Sequence, residues 1–260
     1  MSAPSVIVGR SGPVTEIRFD NPAAHNALTT DMWHEMRRAC EAVAQDASTR
    51  VVVFRGTGGK AFVSGTDISG FSAFQSGADG VAYEAMIDAC MEAVDRVPQT
   101  TIAVVEGWAV GGGLNIACAC DFRIATTSAR FGSPIGRTLG NCLSAATIAR
   151  VGAAVGLSVA RRMVLLGEII EAEELAASGF LLRAVEPDAL AQTLDAVAGR
   201  AAENAPLTSR AFKETARRIT QGNLPDTSDL IERVYGSADF KRGVATFLGK
   251  TRTLPDWTGD

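Results

Sequence analysis

Three consecutive glycines, Gly111-Gly112-Gly113, follow the apolar run Ile102-Ala103-Val104-Val105 and open the small-residue stretch Leu114-Asn115-Ile116-Ala117. A strand that runs through such a turn into a helix leaves backbone N–H groups bare of side chains, and a helix N-terminus stabilises negative charge. This feature narrows the chain to folds in which a strand-to-helix turn is held open to a ligand. A residue just inside the helix would be placed for acid–base chemistry. That position is Asn115, whose amide does not exchange a proton near neutral pH.

Length and charge remove several classes of function. A chain of 260 residues accommodates one large α/β domain, or a domain with a smaller appendage. The net charge is −4 and Lys and Arg are scattered in short pairs, so no basic block exists to neutralise phosphates and nucleic acid is not expected as a partner. The five cysteines, Cys40, Cys90, Cys118, Cys120 and Cys142, show no C-x-x-C spacing and read as reduced, which fits the cytosol. No segment near Met1 has the pattern of a secretory signal, and no apolar run reaches a membrane-spanning length. The only histidines are His25 and His34, so no metal site is expected.

Periodicity organises the chain as alternating strands and helices. Val6-Ile7-Val8 and Val14 to Phe19 form a hairpin around Ser11-Gly12-Pro13. Thr29 caps a helix whose one face carries Met32, Trp33, Met36, Ala39, Cys40 and Val43. Val51-Val52-Val53-Phe54, Ile102 to Val105 and Phe122 to Ala125 read as buried strands, with a helix from about Val81 to Val97 and another from the triple glycine to about Cys120. From Cys142 onward the pattern is mostly helical: Ser158 to Leu166, Glu171 to Ser178, Asp188 to Ala202, Pro206 to Thr220 and Ser237 to Lys250, interrupted by one late strand from Phe180 to Val185. The expected class is α/β, with a core over 1–200 and a helical region over 201–260 that packs on the core or on a neighbouring subunit.

The segment Lys60-Ala61-Phe62-Val63-Ser64-Gly65-Thr66-Asp67-Ile68 resembles the triple-glycine segment Glu106-Gly107-Trp108-Ala109-Val110-Gly111-Gly112-Gly113 in its setting. Each follows a short apolar strand and leads towards a helix. In parallel sheets such turns gather at the carboxyl ends of the strands, where ligands bind. One N–H from each turn, converging on one carbonyl oxygen, would make an oxyanion hole.

Together with their flanks these segments resemble the crotonase, or enoyl-CoA hydratase/isomerase, superfamily. The similarity runs through Asp20-Asn21-Pro22-Ala23-Ala24-His25-Asn26-Ala27-Leu28-Thr29, both turns, Cys120-Asp121-Phe122-Arg123-Ile124-Ala125, Phe131-Gly132-Ser133-Pro134, and Asp239 to Lys250. The resemblance implies a crotonase-like spiral of ββα units with a helical C-terminal trimerisation region, and a homo-oligomer that is a trimer or a dimer of trimers. It implies an acyl-CoA thioester as ligand, with coenzyme A as part of the substrate and no permanently bound cofactor. The thioester oxygen would receive the N–H groups of Thr66 and Gly112. His25, Ala27, Leu28, Ser64, Asp67 and Ile68 would line the CoA groove, and Trp108, Gly111, Pro134, Arg137, Thr138 and Leu139 would also bind substrate. Phe247 and Lys250 would reach the adenine or phosphate of CoA. Asp67 reads equally as a helix cap and His25 as a loop histidine.

The family's hydratases use two glutamates, and here their positions hold Asn115 and Ile135. Ordinary hydration is therefore doubtful. Ser133, Arg137, Thr138, Asn141 and Cys142 lie in the altered segment, and Asp88, Glu92 and Asp95 lie on the helix after the first turn. Cys142 would serve only with a lowered pKa; Arg137 could hold a carboxylate or a CoA phosphate. Three readings stay open: a lyase or isomerase of this family with substituted catalytic groups, a decarboxylase-type enzyme that makes a thioester enolate without a base, and an acyl-CoA-binding protein without turnover.

Overall fold

The computed structural model describes residues 3–204, 206–220 and 228–249. The elements follow in the order β1 (Ser5–Ser11), β2 (Val14–Asp20), α1 (Thr30–Gln45), β3 (Val51–Gly56), β4 (Ala61–Val63), α2 (Gly77–Asp95), β5 (Thr100–Val105), β6 (Trp108–Val110), α3 (Gly112–Ala119), β7 (Phe122–Thr126), β8 (Arg130–Gly132) and α4 (Ile135–Thr138). They continue with α5 (Ala145–Val155), α6 (Leu157–Leu165), β9 (Ile169–Glu171), α7 (Ala172–Ala177), β10 (Arg183–Val185), α8 (Leu190–Glu203), α9 (Pro206–Thr220), α10 (Ser228–Tyr235) and α11 (Ala238–Leu248).

Two sheets share these strands. The larger runs β1-β2-β3-β5-β7-β10, antiparallel only at the β1–β2 hairpin; the smaller runs β4-β6-β8-β9, with β4, β6 and β8 parallel. Each turn of the spiral contributes a long strand to the first sheet and a short one to the second, then a helix: β3-β4-α2, then β5-β6-α3. The long strands are apolar almost throughout because both their faces are covered. Ala103 and Val105 of β5 face a core that holds Trp33, Met36, Phe54 and Leu114, while Ile102 and Val104 face the opposite side beneath Leu190 and Ala198 of α8.

The expected hairpin and the cap of α1 are present, with Thr29 Oγ1 accepting from Met32 N at 3.2 Å. The short strands β4 and β6 fall in the two segments read as turns, and β8 falls where no element was read. Three residues are too few to show a period, and these segments are extended because they pair with each other. Helix α2 starts at Gly77 rather than near Val81, with Asp79 Oδ2 accepting from the N–H of Gln75 and of Ser76. Helices α5 and α10 were not anticipated. The boundary expected at residue 200 falls inside α8, which belongs to the core by its packing on the larger sheet. Among the described residues, no helix is long and apolar enough to cross a membrane.

Candidate functional site

The two glycine-rich turns lie side by side because β4 and β6 are neighbours in the smaller sheet. Each of the three consecutive glycines is required for a different reason. Gly111 has φ +53°, a conformation that side chains disfavour. A Cβ on Gly112 would stand 2.8 Å from Cζ2 of Trp33, and one on Gly113 would stand 2.0 Å from the carbonyl oxygen of Val63. The third glycine thus lets α3 press against β4, and the second keeps its own surroundings open.

Backbone pairing aims the first turn. Leu28 N donates to Gly65 O at 2.9 Å and Asp67 N donates to Leu28 O at 2.8 Å, a parallel bridge that leaves the N–H of Thr66 directed away from Leu28. Gly112 is the first residue of α3, so its N–H has no intrahelical acceptor. Among the described residues neither N–H has a hydrogen-bond partner. The two positions are close: a Cβ on Gly112 would lie 3.5 Å from Thr66 Oγ1. That hydroxyl is fixed by Trp33 Nε1 at 3.3 Å and by the Tyr83 hydroxyl at 3.1 Å.

Both turns open on a cavity of about 180 Å³. Its walls combine the turns (Ser64 to Thr66 and Val110 to Gly112) with Trp33, Ile68 and Phe71, and with Tyr83, Glu84 and Ile87 of α2. The far side is closed by Pro134, Ile135, Thr138, Leu139, Asn141, Leu143 and Thr147, and by Phe247 of α11. Behind two of these walls, Phe71 and Leu139, pack Tyr235 of α10 and Phe240 of α11, so both helices lie against their own chain's cavity.

Asn115 is 3% exposed, and both ends of its amide are occupied: Nδ2 donates to Thr147 Oγ1 at 3.1 Å, and Oδ1 accepts from an Arg150 guanidinium nitrogen at 3.0 Å. Arg150 is in turn held by Asp95 at 2.6 Å. Ile135 completes an apolar wall. The two positions at which the sequence lacks glutamates therefore contribute one spent amide and one aliphatic side chain.

A carboxylate does enter the cavity, from α2. Glu84 is 4% exposed; its Oε1 accepts from the Tyr235 hydroxyl at 2.6 Å, and its Oε2 accepts from Ser144 N at 3.1 Å. Burial pushes its pKa up to about 7, against the two hydrogen bonds that favour the charged form, and the charge of Asp88 adds to the rise. Sequence reasoning passed over Glu84 in favour of Asp88, Glu92 and Asp95. Its signal was present: Gly77, Gly80, Glu84, Ile87, Met91 and Val94 recur at helical spacing as the buried stripe of α2, with a single carboxylate in their midst. Of the acids that were considered, Asp88 accepts from Ser144 Oγ at 2.7 Å, Asp95 holds Arg150, and Glu92 pairs with Arg96.

Most of the other expected residues meet here. Thr66, Gly112, Asn115 and Ile135 line the cavity, as do Ser64, Ile68, Gly111, Pro134, Thr138, Leu139 and Phe247. His25, Ala27, Leu28, Asp67, Trp108 and Arg137 are not in its lining. Leu28 is fully buried, so it supports the first turn from beneath and offers no surface to a ligand. Trp108 projects outward where the next residue, Ala109, faces the core. Asp67 is exposed and its Oδ1 accepts from Ser69 N at 2.9 Å, a local turn; the N-cap of the helical turn that follows is Ile68. Arg137 is exposed on α4, and Lys250 lies outside the described residues. The Cys142 thiol is pushed up to about 12 by burial and by the charge of Glu84, so it has the character of a packing thiol and not of a nucleophile.

Fold and site define a class: an α/β spiral in which paired turns of a small parallel sheet present bare backbone N–H groups to an apolar cavity. Residues 9–260 match the family described as Enoyl-CoA hydratase/isomerase. The chain is similar to the short-chain-enoyl-CoA hydratase of Clostridium acetobutylicum, with 28% identity over 257 residues that cover 97% of each chain. It is similar in structure to an enoyl-CoA hydratase/carnithine racemase from Magnetospirillum magneticum, at 31% identity and TM-score 0.79, covering 100% of this chain and 97% of the other. It also superimposes on methylmalonyl-CoA decarboxylase in complex with 2-nitronate-propionyl-CoA, at TM-score 0.88 with 98% of each chain covered; at 24% identity this is a likeness of fold alone. The chain belongs to the enoyl-CoA hydratase/isomerase family of the crotonase superfamily.

Proposed function

We propose that this protein is an acyl-CoA enzyme that forms a thioester enolate, with the enolate oxygen held between the N–H groups of Thr66 and Gly112. The observation that carries this reading is the pair of internally unpartnered N–H groups at the cavity wall. A fixed donor of this kind contributes about 3–4 kcal/mol to a transition state that places negative charge on oxygen. Phe247, 52% exposed at the mouth, would flank the entering thioester. His25, Asp67, Trp108 and Lys250 would belong to the outer CoA groove, and 201–260 would join subunits into a trimer or a dimer of trimers.

Hydration through positions 115 and 135 is not part of the proposal, because neither side chain transfers protons. Decarboxylation is the weaker alternative. Among the described residues no cation lines the cavity to orient a carboxylate: Arg137 stands outside it, and Arg150 is committed to Asp95 and Asn115.

Exchange of the α-protons of butyryl-CoA in D₂O, followed by mass spectrometry, tests the reading directly. Enzyme-dependent exchange is expected, and Gly112→Pro, which removes one donor at the first helix position and also crowds Trp33, should slow it by at least about 10²–10³-fold. Calorimetry should show butyryl-CoA binding to both proteins. Binding without exchange by the unaltered enzyme would leave a carrier of acyl-CoA and sink the enolate reading.

A further inference from the structure

We propose that Glu84 is the catalytic acid–base of this cavity and that Tyr235 is its positioning residue. The proposal rests on the enolate reading and adds the group that moves the proton. The observation behind it is the placement of Glu84, the one carboxylate among the described residues of the wall that also carries Thr66 and Gly112, where positions 115 and 135 supply no proton-transfer group.

Glu84 is held from two sides by elements distant in sequence. Ser144, the cap of α5, donates its N–H to one oxygen, and Tyr235, at the end of α10, donates its hydroxyl to the other. Asn141 Nδ2 donates to the same tyrosine hydroxyl at 3.4 Å, which orients the phenol towards the carboxylate. The close approach of α10 depends on glycine: a Cβ on Gly80 would lie 1.9 Å from Cγ of Tyr235, and one on Gly77 would lie 1.8 Å from the carbonyl oxygen of Glu232. A purely structural glutamate at this place is an expensive way to fill an apolar stripe, since a buried carboxylate is disfavoured unless its partners compensate.

The step balances without any added reactant. The Glu84 carboxylate takes a proton from the carbon next to the thioester carbonyl. The C–H electron pair becomes the C=C bond of the enolate, and the carbonyl π pair moves onto the oxygen between Thr66 and Gly112. The protonated Glu84 then returns its proton, to the same carbon in exchange or to the γ-carbon of a conjugated enolate in isomerisation. The titratable groups around Glu84 are Tyr235 from α10, Tyr83 and Asp88 from α2, and Cys142 from the segment before α5, with Arg150 of α5 compensating Asp88. These surroundings hold the carboxyl near pH 7, where both of its forms are populated.

The test is α-proton exchange of butyryl-CoA in D₂O by the full-length protein and its Glu84→Gln, Glu84→Asp and Tyr235→Phe variants. Glu84→Gln should lose about 10²–10⁴-fold in exchange rate with binding of butyryl-CoA changed only a few-fold, and Glu84→Asp should keep part of the activity. Tyr235→Phe removes a donor to the carboxylate, so the midpoint of its pH–rate profile should move upward by about one unit while exchange persists. If Glu84→Gln exchanges at the unaltered rate while Gly112→Pro does not, the assignment of Glu84 is overturned and the enolate reading stands. If the unaltered protein binds butyryl-CoA and exchanges nothing, both fall. Should Glu84→Gln not fold, the Tyr235→Phe profile decides: an unmoved midpoint overturns the proposal.

Discussion

Asn115 stands in the cavity wall with both ends of its amide already engaged. Its amide bridges Thr147 and Arg150, and Arg150 is anchored on Asp95. A glutamate placed there would meet the guanidinium first. Asn115→Glu combined with Ile135→Glu should therefore give no gain in hydration of crotonyl-CoA, followed as loss of enoyl-thioester absorbance; a gain of tenfold or more would show that the side chain at 115 swings free of Arg150. At this scale much was legible in the sequence. The triple glycine pointed to one of the unpartnered N–H groups at the cavity wall, and the matching turn at Ser64-Gly65-Thr66 pointed to the other, because bare turns must be glycine-rich. What each glycine does was not legible, since it depends on Trp33 and on the Val63 carbonyl, which lie far away in sequence. Glu84 was overlooked because a carboxylate on a helix announces nothing until the buried face of that helix is known.

The pairing of α2 with α10 decides whether Glu84 has its partner. The sequence started α2 late because Gly77 and Gly80 disfavour helix, at about 1 kcal/mol each relative to alanine. In the fold they serve contact, and α10 lies over them. Gly80→Ala should improve the propensity of α2 and yet destabilise the protein by about 1–3 kcal/mol, because the added methyl collides with the Tyr235 ring. Urea unfolding measures the loss. A stabilised Gly80→Ala variant would mean that α10 does not sit on α2 as the structure has it. The strands of the larger sheet were readable from their apolar runs, and the helices from their period. The small sheet was not, because its three-residue strands owe their shape to neighbours contributed by other turns of the spiral.

The molecule as a whole should record the burial of Glu84 in its response to pH. The folded protein binds a proton at Glu84 up to about pH 7, whereas the ordinary value for this group is 4.5. Asp88 is shifted upward for the same reason, burial. A carboxyl whose folded pKa is raised gives stability that is complete below its unfolded pKa and is lost as pH rises through the folded one. Other acids act in the opposite sense: Asp46 is lowered to about 2 by hydrogen bonds from Ser48 and Thr49, and Glu168 and Glu174 are lowered by Arg162. Those groups are exposed and screened, and their contributions vanish only in acid, well below the window in which Glu84 titrates. Between pH 5 and pH 8.5 Glu84 and the half-buried Asp88 should therefore dominate, and stability should fall with rising pH, by at most about 3 kcal/mol from Glu84. Urea unfolding at the two pH values measures the difference, and Glu84→Gln should remove most of it, because a neutral amide has no charged form to bury. An unaltered protein whose stability is flat across that range would mean that Glu84 reaches water, and a hydrated carboxylate has neither the pKa nor the dry cavity on which its proton transfer depends.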